Sequence, residues 1–119
     1  MQVTASKIVQ FSGCKHSINL DIKSETDFSL KRNEKDETLN LISDQGLMFE
    51  KFYLNELKSK YSVVEIENKN GLITKETINQ TLSAMKSGAD FIYQGNLSDG
   101  KNVGIADFLR KISQPSELG

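Results

Sequence analysis

Asp107 is the residue whose position in this sequence most suggests chemistry. It interrupts an apolar stretch, and in a strand its neighbours on the same face would be Ile105 and Leu109. An ionised carboxylate in such surroundings is costly unless it is paired, hydrogen-bonded or bound to a metal ion. Two interpretations follow from the residues alone. Asp107 is either solvated or held by backbone amides near a strand end, or it binds a ligand.

A predicted β-hairpin positions this carboxylate. The runs 90–97 and 102–109 flank the dipeptide Asp99-Gly100, which is typical of a two-residue type I′ turn because both of its residues need positive φ. Alternation along the first strand places Phe91, Tyr93 and Leu97 on one face with Gly95, and Phe108 of the second strand joins them.

The same turn sets the expected register. With Asp99-Gly100 as the loop, Asp107 lies opposite Ile92, and Gln94 becomes its diagonal neighbour. Gln94 is therefore a candidate for supporting the carboxylate through its side-chain amide.

Further elements surround the hairpin and predict an α+β fold. Capping residues, apolar periodicity and turn residues indicate a short helix after Thr4, a polar loop over 24–35, a long helix over 36–60, a strand over 62–66, an Asn70-Gly71 turn and a helix from Thr74 to Gly88. The apolar stripe of the long helix comprises Leu39, Ile42, Phe49, Tyr53 and Leu57, with Gly46 on the same face, where something could approach closely. On the last helix Ile78, Leu82 and Met85 share one side.

Composition narrows the class of protein. The 119 residues predict a single domain over 1–119, and 37% hydrophobic with 26% charged residues is typical of an ordinary soluble protein. A net charge of −1 argues against a domain that coats nucleic acid through bulk electrostatics, but not against one local groove. One cysteine excludes a disulfide framework, and neither a signal peptide nor a membrane span is recognisable, so we expect a cytoplasmic protein without a membrane partner.

Three ordered segments resemble the RecB-like nuclease family of the PD-(D/E)XK superfamily. They are SKIVQFSGCKHSINLD, GLMFEKFYL and AMKSGADFIYQGNLSDGKNVGIADFLRK. The resemblance implies a restriction-endonuclease-like core of N-terminal helices and a mixed sheet with a hairpin. It also implies cleavage of DNA phosphodiesters with Mg²⁺ or Mn²⁺ bound to carboxylates. Asp107, in GIADFL, occupies the place of the first metal-binding acid.

The helical segment departs from the family pattern. Related enzymes have His-Glu there, and the His is a metal ligand, whereas this chain has Phe49-Glu50. Phenylalanine cannot coordinate a cation, and Phe49 fits the apolar stripe as a core residue. The resemblance therefore leaves Glu50 as the second candidate catalytic and metal-binding residue, the alternative being a solvent-facing glutamate.

Cys14 has two interpretations. In relatives, a cysteine at this place joins three C-terminal cysteines around a [4Fe–4S] cluster, which would have to be completed here by another segment. The alternative is a small buried hydrophobic residue. His16 is the single histidine, and we expect a surface or capping role for it.

The largest departure concerns the catalytic strand. In the family a (D/E)-x-K strand follows the first acid, but no such sequence follows Asp107, and Lys111 has the wrong spacing. We therefore expect the N-terminal portion of a RecB-like nuclease module that is inactive alone or needs a separate chain to supply this strand. The alternative is a non-catalytic module that keeps the fold and binds nucleic acid or protein. An absent strand also predicts an exposed sheet edge at 102–109 and self-association.

Overall fold

The computed structural model describes residues 2–31, 36–115 and 117, and within them the chain has the predicted α+β fold. These described residues form four α-helices and one three-stranded sheet in the order α1 (Ala5–Gly13), α2 (Lys15–Ser24), α3 (Glu37–Lys60), β1 (Val63–Glu65), α4 (Lys75–Ser87), β2 (Phe91–Ser98) and β3 (Val103–Arg110), with a 3₁₀ turn at Lys69–Gly71 before α4.

The N-terminal part forms two short helices where the sequence predicted one. Thr4 caps α1 as expected, because its hydroxyl accepts a hydrogen bond from the Lys7 amide. Cys14 then adopts an extended conformation, and α2 begins directly after it. The predicted loop over 24–35 consequently starts after α2, and its residues 32–35 lie outside the described part. A hydrogen bond of 2.8 Å from Gln10 to Asp21 connects the two helices.

Local sequence chemistry explains the ends of the next elements. Asp36 caps α3 through the Thr38 amide, and Asn70 and Gly71 both adopt positive φ in the predicted turn. Thr74 and Thr77 form a reciprocal capping box at the start of α4, and Gly88 ends this helix in a left-handed conformation. These boundaries agree with the sequence prediction.

The sheet is mixed, with β2 in the centre. β1 pairs with β2 in parallel, and β2 pairs with β3 antiparallel. The hairpin prediction is confirmed but its register was wrong: Ile92 lies opposite Leu109, not Asp107. The reason is a longer connection, in which the Asp99 carboxylate accepts hydrogen bonds from the amides of Lys101 and Asn102. A shift of two residues would by itself keep the side chains on their faces, but the positive φ of Gln94 interrupts the alternation. A Cβ at Gly95 would point at Leu109 and Thr81 on the α4 side, so the prediction that Gly95 lies on the aromatic face was wrong.

The core lies between the sheet and α4. Buried Ile66, Ala84 and Ile92 form its centre, with Val64, Ala89 and Leu109 packed against it. The side of α4 that is buried carries Thr77, Thr81 and Ala84. It is not the apolar side predicted for this helix, since Leu82 and Met85 are 45% and 43% exposed.

Helix α3 contacts the sheet through its C-terminal half. Leu54 and Leu57 are its buried residues, and the Tyr61 ring packs on Phe91 at 5.2 Å. Phe49 is 70% exposed, so its prediction as a core residue was wrong. The physical reason is that the described elements place the sheet beside the last turns of α3 and leave its first half uncovered. Gly46 has nothing within 4 Å of the position of an added Cβ, which corrects the expected close approach.

Candidate functional site

An aromatic cluster brings α3 against the hairpin and creates the candidate site. The Phe108 ring lies 5.1 Å from Tyr53 of α3 and 5.2 Å from Tyr93 of β2, as ring-centroid distances. Edge-on and tilted arrangements of this kind are favourable for aromatic pairs. Glu50 lies one helical turn before Tyr53, and this spacing directs both side chains to the same side of the helix.

Glu50 faces the hairpin and is not a freely solvated glutamate. Glu50 is partly buried, and its Oε1 accepts a hydrogen bond of 2.8 Å from Gln94 Nε2. Gln94 was predicted to support Asp107, but the structure gives its amide to Glu50. The amide fixes the orientation of the carboxylate towards β2.

Tyr93 is the third member of this group. Its hydroxyl interacts with the Glu50 carboxylate, mainly as a hydrogen-bond partner, and this interaction raises the pKa of Tyr93 to about 12. Partial burial and the negative charge of Asp107 act in the same direction, while a hydrogen bond with Gln94 acts against them. The hydroxyl is therefore a donor held in its protonated form.

Asp107 lies on β3 close to the same hydroxyl. It is exposed, and it falls opposite Gln94, between the pairs Tyr93–Phe108 and Gly95–Ala106. Its charge raises the pKa of Tyr93, which indicates that both candidate acids act on one tyrosine. The solvated interpretation of Asp107 agrees with its exposure, and exposure also leaves its oxygens accessible to a ligand.

The backbone of β2 is irregular at this point. Gln94 has φ +56° inside the strand, a conformation that residues other than glycine adopt rarely. Irregularities of this type in sheets redirect side chains and are common near functional sites. Here the irregular residue is the one whose side chain reaches Glu50.

The donor set suits a hard divalent cation. Two carboxylates supply oxygen ligands, and Mg²⁺ is commonly held by one or two carboxylates with several waters completing its shell. Glu50 and Asp107 therefore fit Mg²⁺ or Mn²⁺ as a partial ligand set. In the described part of the chain, no group of three or more His, Cys, Asp or Glu side chains is arranged to hold a metal ion.

Cys14 does not fit an iron–sulfur cluster within this chain. It is exposed at the junction of α1 and α2, which also contradicts the buried hydrophobic alternative. A [4Fe–4S] cluster takes four thiolates, and the sequence contains one cysteine. The residues present therefore support no iron–sulfur chemistry.

A groove elsewhere in the described part of the chain is separate from this group. It lies between β1 and α4, and its charged lining residues are Glu65, Glu67 and Glu76. None of Glu50, Tyr93, Gln94 and Asp107 lines it. The candidate site is therefore defined by the side chains that converge between α3 and the hairpin.

Tyr93 is the site residue that the sequence did not reveal. Alternation correctly placed Tyr93 on the aromatic face with Phe108. Packing of its ring there is a sufficient reason for a tyrosine at this position. The available signal was its hydroxyl, because a partly buried tyrosine oxygen usually has a hydrogen-bond partner. A strand tyrosine facing a helix that carries a glutamate would have been the pattern to test.

Comparison with protein-family models, with curated proteins and with solved structures finds no match to this chain. Over the residues that the structure describes, none of the helices combines the length and the apolar character that crossing a bilayer requires.

Proposed function

We propose that this chain is the N-terminal part of a RecB-like, metal-dependent DNA nuclease with a restriction-endonuclease-like fold, in which Glu50 and Asp107 bind Mg²⁺ or Mn²⁺. The observation that supports the proposal best is the position of the two acids. They come from separate segments of the sequence, 57 residues apart by their numbers, yet Gln94 donates to Glu50 at 2.8 Å and lies across the hairpin from Asp107.

The residues of this chain would divide the work of such a site. Glu50 and Asp107 would hold the cation, Gln94 would orient Glu50 through its hydrogen bond, and the Tyr93 hydroxyl, whose pKa the Glu50 carboxylate raises, would stay protonated beside it. A bound divalent cation stabilises negative charge on a phosphate during hydrolysis. Residues 108–119 contain no (D/E)-x-K sequence, so we expect these 119 residues alone to bind the cation without cleaving DNA.

Cation binding is the first test. Titration of the purified chain with Mn²⁺, followed by electron paramagnetic resonance, measures free Mn²⁺ directly. We expect binding that weakens about tenfold or more in Glu50→Gln and in Asp107→Asn, because each variant removes one anionic ligand while keeping the shape of the side chain. The matched controls Asp44→Asn and Glu56→Gln lie on α3 and are exposed, and they should bind like the parent chain. Equal weakening in the controls, or no binding at all, would contradict the assignment.

Cleavage is the second test. The chain is incubated with single-stranded or double-stranded DNA and Mg²⁺ or Mn²⁺. We expect no metal-dependent cleavage by the chain alone. Cleavage that disappears in Asp107→Ala would overturn the predicted incompleteness while supporting the nuclease assignment.

The alternative is a binding module that has the fold without the chemistry. Phe49 favours it, because this residue stands where a metal-binding histidine is expected and its side chain is 70% exposed. A chain that neither binds Mn²⁺ nor cleaves DNA, but retains DNA in a filter-binding assay, would support the alternative over the nuclease.

A further inference from the structure

The irregularity of β2 at Gln94 requires a cause. A glutamine in the left-handed region has its Cβ close to the neighbouring carbonyl oxygen, and such a residue persists only where the surrounding structure imposes the conformation. The hydrogen bond from Gln94 to Glu50 is partly exposed to solvent and lies at the end of a flexible side chain. We therefore take this hydrogen bond as a consequence of the backbone conformation and not as its cause.

A buried hydrogen-bond network between α4 and β2 supplies the contacts that impose this conformation. Asn96 and Thr81 are 0% exposed. The Asn96 amide N–H donates to Thr81 Oγ1 at 2.9 Å, and Thr77 Oγ1 donates to Asn96 Oδ1 at 2.8 Å. Asn96 Nδ2 completes the network by donating to the carbonyl oxygen of Gln94 at 2.8 Å.

This network pairs side chains with two backbone groups of β2. In a regular sheet, the Gln94 carbonyl and the Asn96 amide would pair with backbone groups of neighbouring strands. In this chain, side chains form hydrogen bonds with both groups. Because the groups are buried, losing either hydrogen bond would cost folding free energy. The backbone around Gln94 is therefore fixed from the α4 side, while the Gln94 side chain meets Glu50 of α3 on the other.

We propose that Thr77, Thr81 and Asn96 form a positioning network, which holds Gln94 in its left-handed conformation and thereby orients the Glu50 carboxylate. The consequence for cation binding rests on the proposed function, whereas the effect on Gln94 and Glu50 does not. None of the three network residues touches the cation. They act through Gln94.

Nuclear magnetic resonance of the full chain tests the first step. The Gln94 side-chain amide signals report directly on its hydrogen bond to Glu50. Thr81→Val removes the hydroxyl with little change in volume, and we expect it to move these signals to the positions of a free glutamine amide. Thr81→Ser keeps the hydroxyl and should keep the signals, and so should Ile66→Val, which trims the core without touching the network. Unchanged Gln94 signals in Thr81→Val would overturn the proposal.

A second variant keeps the test decisive if Thr81→Val unfolds the chain. Glycine adopts positive φ without strain, so Gln94→Gly removes the conformation that the network has to impose. We expect Thr81→Val to lower the urea midpoint less in the Gln94→Gly background than in the parent, or to fold only in that background. Equal loss of stability in both backgrounds would overturn the proposal, as would a double variant that remains unfolded.

The two proposals can fail separately. Mn²⁺ affinity of the parent chain tests the proposed function, and the Gln94 signals test the positioning network without any metal present. A parent chain that binds no Mn²⁺ would overturn the first and leave the second to be decided by its own measurement.

Discussion

At the scale of single residues, the Tyr93 hydroxyl reports on the two candidate acids. We predict that Glu50→Gln lowers the pKa of Tyr93 from about 12 towards its ordinary value of 10.0. The variant removes the hydrogen-bonding carboxylate and its negative charge, which are the main causes of the increase apart from burial. A pH titration of ¹³C-labelled tyrosine by nuclear magnetic resonance measures this directly, with Tyr53→Phe and Tyr61→Phe assigning the signals.

The control for this prediction lies on the same helix. Glu56→Gln removes a carboxylate that pairs with Lys60, so the pKa of Tyr93 should stay raised. An unchanged pKa in Glu50→Gln would show that the carboxylate is not near the hydroxyl in solution.

The raised pKa also predicts the direction of a pH effect on stability. Tyr93 binds its proton more tightly in the folded chain than in the unfolded chain, so its contribution to stability is complete below about pH 10. This contribution is lost as the pH rises from about 10 to about 12. Urea unfolding of the parent chain should therefore lose more stability across this window than unfolding of Glu50→Gln. An identical loss in both chains would contradict the coupling.

Sequence reasoning singled out the acids but not their organisation. Asp107 was visible as a charge in an apolar strand, and Glu50 depended on the resemblance. That Gln94 reaches Glu50 was not predictable, because alternation along a strand assumes regular backbone and gives no sign of a positive φ at a glutamine. The cause lies in Asn96 and Thr81, which are distant in sequence from Glu50.

At the scale of elements, the features that depend on neighbouring residues were predictable. Thr4, Thr74 and Gly88 end their helices through contacts within a few residues, and each agreed with the structure. The predicted hairpin register was wrong because the Asp99 side chain stabilises a longer connection than the Asp-Gly dipeptide suggested. The shared side of Ile78, Leu82 and Met85 does not indicate the buried side of α4, because the buried threonines hydrogen-bond to Asn96 and apolar periodicity does not detect a polar network.

Replacement by alanine should change the stability of the chain in opposite directions at two glycines. A Cβ at Gly95 would lie 2.6 Å from Leu109 Cδ1, so we predict that Gly95→Ala destabilises the chain by about 1–3 kcal/mol through overpacking. Gly46 lies inside α3 with nothing within 4 Å of such a Cβ, and Gly46→Ala should stabilise the chain by about 0.5–1 kcal/mol. Urea unfolding measures both values.

The contact with Leu109 gives this prediction its own control. Leu109→Val shortens the side chain that the new methyl group would meet, so it should recover part of the stability lost in Gly95→Ala. Strictly additive effects of the two substitutions would show that the close approach at Gly95 is not the reason for the loss.

At the scale of the whole molecule, the chain is more open than its length suggests. Its radius of gyration is 17.3 Å, whereas a compact domain of 119 residues has about 13.5 Å. Its accessible surface is 9898 Å², against about 6,500 Å² for a folded monomer of 13.3 kDa. Many large apolar side chains are exposed. On α3 alone the exposed large side chains are Leu39, Leu41, Ile42, Leu47, Met48, Phe49, Phe52 and Tyr53.

This surface predicts concentration-dependent self-association, which Phe49→Lys should reduce. Large exposed apolar patches and open sheet edges both favour association, and β3 is an edge strand among the described residues apart from a bridge between Val3 and Asn102. Phe49 is 70% exposed, so a lysine there adds charge without disturbing packing. Ser43→Lys, at an exposed polar position of the same helix, adds the same charge and should leave association unchanged. Sedimentation velocity over a range of concentrations measures the effect. A parent chain that stays monomeric throughout, or equal responses of the two variants, would contradict an apolar contact through α3.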